Sequence, residues 1–317
     1  MGKKAEIVTI GLSPAWDITC LGPEIEWGEH KVVSEVNTRP AGKALNISRA
    51  LAWMGEKNTA AGLWGEQDYQ QAREALEGLR KYISIGFTKV EGKTRQNITV
   101  VDTVKKREMH LRNKSELATK AALKKLRIDL QKIVTKKSVC VFAGAMPDEE
   151  LLGEVVEIIS CCRRWGAKIA VDTSGKALKR IVSASGVWLI KPNVEELSEL
   201  VGERVRDTVA SLVNAGRKML ERSEVLLISR GKKGAVVVSR DGTWYGRAVE
   251  GGGEVVSTVA CGDYLLAGFL KGLKDKGDIG FALKQGIKVA TSRALGWTES
   301  TGWPTAQRKI LVDCHKK

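Results

Sequence analysis

A chain of 317 residues with 43% hydrophobic content has ample material for a core, and its length suits one large α/β domain, over 1–317, that carries an appendage. Lysine plus arginine number 52 against 37 aspartate plus glutamate, and the resulting +15 asks for an anionic partner. The basic residues are dispersed and lack the interleaved aromatics that stack bases, which excludes nucleic acid and leaves phosphorylated metabolites. No apolar run approaches a membrane span, Met1-Gly2-Lys3-Lys4 enters a strand-like segment without a secretory stretch, and six cysteines form no CxxC pair. A cytoplasmic chain with reduced thiols, no membrane contact and no zinc site is expected.

Ile7 to Ile10 reads as a buried first strand and Gly11 to Asp17 as the loop after it, so Asp17 sits just past a strand end, where α/β sheets bind ligands. Asp17 is either an acceptor for sugar hydroxyls or an Asx-turn residue. Lys31 to Val36 alternates like an edge strand. At Gly42 a turn enters a helix whose apolar face is Ile47, Ala50, Leu51 and Met54, ended by Gly55. Lys43 and Asn46, in its first turns, can address a phosphorylated sugar; the plain alternative for Lys43 is a solvated first-turn lysine. Thr59 to Gly65 is a strand and turn, followed by a helix from about Glu66 to Lys81. The period then becomes alternating over 83–90, 95–101 and 107–111, strands that with 31–36 should form a small sheet projecting from the body. Lys120, Lys124, Lys125 and Arg127 form a solvated helix face.

From Val139 the pattern is strand and helix in turn: strands at 139–143, 168–172, 187–190 and 225–229, helices over 151–162 and around Val209 to Leu220. This predicts a mostly parallel sheet with helices on both faces. Ser229 to Ala235 reads as a glycine turn leading into Val236 to Val238, and Gly251-Gly252-Gly253 as a flexible approach to the next segment. There a β-branched run from Val255 stops at a small-residue turn, and Leu265, Leu266, Phe269, Leu270 and Leu273 recur at helical spacing. The first amides of that helix, from Ala260, Cys261, Gly262 and Asp263, can face an anion. Asp263 is then either a proton acceptor for a hydroxyl or a first-turn residue favoured by the helix dipole.

Ser257 to Asp263 resembles the signature of the ribokinase-type (PfkB) carbohydrate kinases, which ends Gly-Ala-Gly-Asp with the aspartate as catalytic base; Ala260 and Cys261 depart from it. Further motifs follow in family order. Ser13-Pro14-Ala15-Trp16-Asp17 stands for the Asn-Pro-Ala-aromatic-Asp sugar segment. Ala41-Gly42-Lys43-Ala44-Leu45-Asn46 is similar to the helix start of 1-phosphofructokinases and tagatose-6-phosphate kinases, with Ala44 where glycine is usual. Thr94-Arg95-Gln96-Asn97 matches Thr-Arg-x-Asn, and Thr99 takes a place where some relatives carry a second cation. Ala143-Gly144-Ala145 replaces Ser-Gly-Ser. Lys191-Pro192-Asn193-Val194-Glu195-Glu196 matches Lys-Pro-Asn-x-x-Glu, and Ser229-Arg230-Gly231 to Gly234 stands for the Ser-Leu-Gly-x-x-Gly loop.

The resemblance, from Ile7 to about Gly302, implies a ribokinase-like α/β fold, with a small β lid formed by about 15–41 and 83–112. It implies an ATP-dependent kinase using Mg²⁺, most similar to enzymes that convert fructose 1-phosphate to fructose 1,6-bisphosphate. Tagatose 6-phosphate, fructose 6-phosphate and a non-catalytic sugar-phosphate sensor stay open. In that frame Asp263 is the base and Ala260, Cys261 and Gly262 stabilise the transferring group. Asp17, Gly42, Lys43, Asn46, Arg95 and Asn97 bind substrate, and Lys191, Asn193, Ser229, Gly231, Gly234 and Thr258 bind ATP. Asn193 and Glu196 hold Mg²⁺ through water, and a homodimer through the lid is expected.

Overall fold

A computed structural model describes residues 6–33, 35–184, 186–250 and 253–317. Met1 to Lys4, Ser34, Gly251 and Gly252, each part of an expectation above, lie outside the described residues. The chain begins β1 (Glu6–Gly11), β2 (Ala15–Gly22), β3 (Glu35–Ala41), α1 (Lys43–Trp53), β4 (Asn58–Gly65), α2 (Tyr69–Ala75), β5 (Ile83–Val90), β6 (Arg95–Asp102), β7 (Arg107–Arg112) and α3 (Lys120–Ile133). It continues β8 (Ser138–Ala143), α4 (Leu152–Arg164), β9 (Lys168–Asp172), α5 (Gly175–Ala184), β10 (Val187–Ile190), α6 (Val194–Val201), α7 (Val209–Met219), β11 (Ser223–Ser229) and β12 (Ala235–Ser239). Last come β13 (Gly242–Glu250), α8 (Cys261–Lys276), α9 (Ile279–Ala294), α10 (Trp297–Ser300), α11 (Trp303–Lys309) and β14 (Leu311–Lys316).

The apolar runs that end at glycine or a polar turn form one large sheet in the order β14-β13-β12-β11-β10-β9-β8-β1-β4-β5. The strands from β11 to β5 are parallel, and β12 to β14 continue the sheet antiparallel. Helices cover both faces, so central strands such as Leu226-Leu227-Ile228 are apolar on successive residues and fully buried. Alternation still assigns each residue a layer: Val8 and Ile10 pack with Leu123, Leu126, Leu130 and Ile158, whereas Ile7 packs with Ile47, Leu51, Leu266 and Phe269. From β1 the chain winds to β4 and β5 on one side, and β8 to β11 lie on the other, which opens a crevice at the carboxyl ends of the central strands. Below that crevice α8 and α9 cross backbone to backbone: a Cβ on Gly268 would stand 2.8 Å from Gly286 Cα.

A second sheet, β3-β2-β6-β7, stands apart. Several expectations need correction here. Asp17 is not in a loop but is the third residue of β2; the Asp in Trp16-Asp17-Ile18-Thr19 hides a strand that turns a polar face. The strand expected at 31–36 lies instead at Glu35–Ala41, where edge position accommodates Pro40, and Val32 is 90% exposed. Ile83–Val90, expected in the small sheet, pairs with β4 at the edge of the large one, since alternation marks a strand without naming its partner. The helix expected over 66–81 is cut to Tyr69–Ala75 and a short 3₁₀ turn, because the Glu66 and Gln67 amides bond to the Val90 and Gly92 carbonyls. The Asp68 carboxylate accepts from the Trp16 indole and the Thr94 amide, tying the roots of β2 and β6 to the body beneath the Trp16, Trp64 and Phe87 rings.

Candidate active site

The run from Glu254 to Thr258 is not a strand, and the chain reaches α8 through Ala260, held at φ 65°, ψ 3°. Cys261 N–H donates to Thr258 O at 3.4 Å, and Tyr264 N–H closes the first helical bond on Ala260 O at 3.0 Å. Gly262 and Asp263 N–H groups therefore belong to the first turn, where the helix offers no acceptor of its own. Left-handed backbone costs an alanine roughly 1–2 kcal/mol, which explains why glycine suits this position. Ala260→Gly is expected to raise stability by about 1 kcal/mol, read as a higher denaturation midpoint at unchanged slope.

Asp263 is 4% exposed, and its carboxylate makes no cap on its own helix. Its partner is Asn46, 217 residues upstream, whose Nδ2 donates to Oδ2 at 2.8 Å. Burial, reinforced by Asp172 and opposed by Lys43, the Asn46 hydrogen bond and Lys191, pushes the Asp263 carboxyl up to about 7. A dipole-favoured surface residue would show neither the burial nor the distant partner.

Asp172, the last residue of β9, lies at this site and was not singled out in the sequence. Fully buried, it accepts from Lys43 Nζ at 3.0 Å and faces Lys191 Nζ at 3.4 Å, both through Oδ1. Its only local sign is an acidic residue directly after the apolar run Ile169-Ala170-Val171. Lys191 itself is 5% exposed, and a Cβ on Gly262 would lie 3.3 Å from its Nζ, so this ammonium stands at the start of α8. Gly42 permits the tight entry to α1 at φ 119°, a backbone that a side chain would strain. Along α1, Lys43, Asn46 and Arg49 follow at three-residue steps and reach toward Asp172, Asp263 and Asp17 in turn.

The small sheet supplies the other end of the site. Register sets Asp17 between Arg39 on β3 and Asn97 on β6, and Asn97 opposite Arg112 on β7. Asn97 Nδ2 donates to Asp17 Oδ1 at 2.8 Å, while Arg95 Nη1 donates to Asn97 Oδ1 at 3.1 Å. Burial lowers the basicity of Arg49 and of Arg95; Arg39 adds to this for Arg49 and Arg112 for Arg95, with Asp17 opposing in both cases. Nε of Arg49 and of Arg95 is buried without a hydrogen-bond partner among the described residues. Guanidinium groups gathered at this end of the site can cradle a phosphate. Arg39, Arg49 and Arg112 were not singled out in the sequence; the step from Asn46 to Arg49 on one helix could have pointed to the second.

The segments assigned to nucleotide come together at the ends of β10 and β11: Ser229 N–H donates to Pro192 O at 3.0 Å, and Asn193 bridges to Ser229. Asn193 and Glu196 form the capping box of α6, Asn193 Oδ1 accepting from Glu196 N–H at 2.8 Å and Glu196 Oε2 from Asn193 N–H at 2.9 Å. Gly231 and Gly234, at φ 56° and 84°, close the 229–234 loop. Arg230 and Lys233 both turn to Asp207 at 2.7 Å, so Arg230 braces this loop. Thr258 is exposed beside the start of α8.

An α/β crevice holding a buried carboxylate, helix-start amides and lysines beside an arginine cradle defines a phosphotransferase with a hydroxyl acceptor. The pfkB family carbohydrate kinase model matches residues 4–295. The chain belongs to that family. It is 27% identical to 1-phosphofructokinase of Vibrio cholerae over 98% of this chain and 97% of the relative, and 26% identical to tagatose-6-phosphate kinase of Staphylococcus epidermidis over 84% and 85%. The fold is that of phosphofructokinase-2 from Escherichia coli in complex with fructose-6-phosphate, at a TM-score of 0.86 and 20% identity over 96% of this chain and 98% of the other. The same Escherichia coli protein is known in a tetrameric inhibited form. No helix among the described residues is long and apolar enough to cross a membrane.

Proposed function

We propose that the chain transfers the γ-phosphoryl group of ATP to a hydroxyl of a sugar phosphate, with fructose 1-phosphate as preferred acceptor and fructose 1,6-bisphosphate as product. The observation that carries this reading is the buried Asp263, bonded to Asn46 and placed beside helix-start amides and Lys191. About 9 Å of helix rise separates Lys43 from Arg49, on the scale of a sugar phosphate laid along α1 with its own phosphate in the arginine cradle. Asp263 accepts the proton of the reacting hydroxyl as its oxygen forms the new P–O bond and ADP leaves with the electrons of the old one. Gly262 and Asp263 amides and Lys191 stabilise charge on the transferring group.

Mg²⁺ fits the residues present. The capping box engages one oxygen of Glu196 and leaves the other for an ordered water, which suits a cation that keeps its waters. Asn193 and Glu196 would hold it through water, and it would neutralise the ATP phosphates. A second copy would dock through the small sheet, where Ile18, Ile98 and Leu111 share a face and Val36 and Leu111 are 55% and 49% exposed.

ADP release measured side by side with fructose 1-phosphate, fructose 6-phosphate and tagatose 6-phosphate tests the reading. The first is expected to give the highest kcat/KM; a better unphosphorylated sugar or nucleoside would overturn the substrate class. A base must be ionised to act, so kcat/KM should rise with pH through about 7, matching the raised Asp263 carboxyl. A profile flat from pH 5 to 9 would remove Asp263 as the base.

A further inference from the structure

We infer that Asp172 is a positioning residue: its buried carboxylate holds the Lys43 and Lys191 ammoniums on itself and so keeps them from pairing with Asp263. The inference rests on the assignment of Asp263 as base and goes beyond it by naming what keeps that base free.

A fully buried carboxylate is costly unless its charge and both oxygens are satisfied. Asp172 is satisfied on one side only. Oδ1 takes both lysines, at 3.0 and 3.4 Å, while Oδ2 is buried with no hydrogen-bond partner among the described residues. Two cations thus converge on one atom and leave the other without a partner.

The charges around Asp263 explain the arrangement. From α1 come Lys43 and the neutral Asn46, from the end of β9 Asp172, and from the end of β10 Lys191. Glu196 on α6 acts on Lys43, and Cys261 on the starting turn of α8 feels both Asp263 and Arg293 of α9. Either lysine, released, would find its next carboxylate in Asp263. An ammonium bound there would stabilise the ionised carboxylate and weaken it as a proton acceptor. With Asp172 in place, both lysines stand where incoming phosphates can take them over, because several phosphate charges outcompete one carboxylate. Asp172 thus presents the cations to the phosphates and keeps them from becoming direct partners of the base, while its own charge adds to the raised Asp263 carboxyl.

Asp172→Asn tests this, because the amide keeps the shape and one acceptor and removes the charge. Two readouts are taken: the pH profile of kcat/KM with the best sugar phosphate, and the NMR titration of the Asp263 carboxyl carbon, assigned by its loss in Asp263→Asn. The Asp263 titration and the acid limb of the profile are expected to move to lower pH by about one to two pH units, with kcat at high pH reduced. The KM for sugar phosphate should not rise. Glutamate at this position, Asp172→Glu, should return the limb to within about half a pH unit of the parent by restoring the charge. A folded Asp172→Asn enzyme whose Asp263 titration stays in place overturns the inference, as does an equal loss of rate at every pH. Should Asp172→Asn fail to fold, Asp172→Glu decides: a parent-like limb supports the inference and a limb moved acid by more than one pH unit overturns it. The assignment of Asp263 as base fails separately, through normal turnover of Asp263→Asn.

Discussion

Asp263→Asn is expected to lower kcat by at least about a hundredfold while the enzyme stays folded and binds ATP as before, the scale of a lost general base. An asparagine oxygen can still accept from Asn46 Nδ2, which now bonds Oδ2 at 2.8 Å, so the start of α8 keeps its tie to α1. Stability should not fall either. The folded carboxyl is raised to about 7 from an ordinary value near 3.8, so the folded state binds more protons between those values, and stability declines as pH rises through that window. Above it the buried anion opposes folding, and a neutral amide removes that opposition. Melting at pH 8 should be at or above the parent temperature. A stable Asp263→Asn enzyme with parental kcat would remove the proposed mechanism.

Arg95→Ala is expected to raise the KM for sugar phosphate by roughly thirty- to a hundredfold, about 2–3 kcal/mol for a charge-assisted phosphate contact, with little change in the KM for ATP. The guanidinium is half-buried and has partners at Asn97 Oδ1, Asn113 O and Ser13 O, so it is oriented before substrate arrives. Its removal also frees Asn97, which holds Asp17. Arg39, Arg49 and Arg112 remain, so the loss should stay well short of abolishing binding. Steady-state kinetics with each substrate varied in turn separates the two constants, and equal rises in both would move Arg95 out of the sugar-phosphate end.

Much of the architecture is written locally. Short apolar-rich runs at Ile7, Val139, Ile169 and Val225 alternate with helical spacings, and that pattern alone predicts a parallel sheet with helices on both faces. Glycine and small residues before α1 and α8 announce helix starts that can face anions, since backbone geometry there depends on neighbours within a few positions. Ordered motifs along the chain carry the resemblance to carbohydrate kinases, and the family match over residues 4–295 agrees with it.

Tertiary structure decided what spacing cannot encode. Ile83–Val90 alternates as well as Arg95–Asp102 does, yet one pairs into the large sheet and the other into the small one, because a strand's partner is chosen by packing and not by its own period. Arg39, Arg49 and Arg112 come from an edge strand, a helix and a hairpin strand; cross-strand register sets Arg39 opposite Asp17 and Arg112 opposite Asn97, and the packing of α1 brings Arg49 to Arg39 and Asp17. Asp172 reaches Lys43 across 129 residues and Asp263 reaches Asn46 across 217. Contacts that long leave no periodic trace in a sequence: each residue satisfies its local rules alone, and burial and charge at the strand ends appear only once the sheet has brought those ends together.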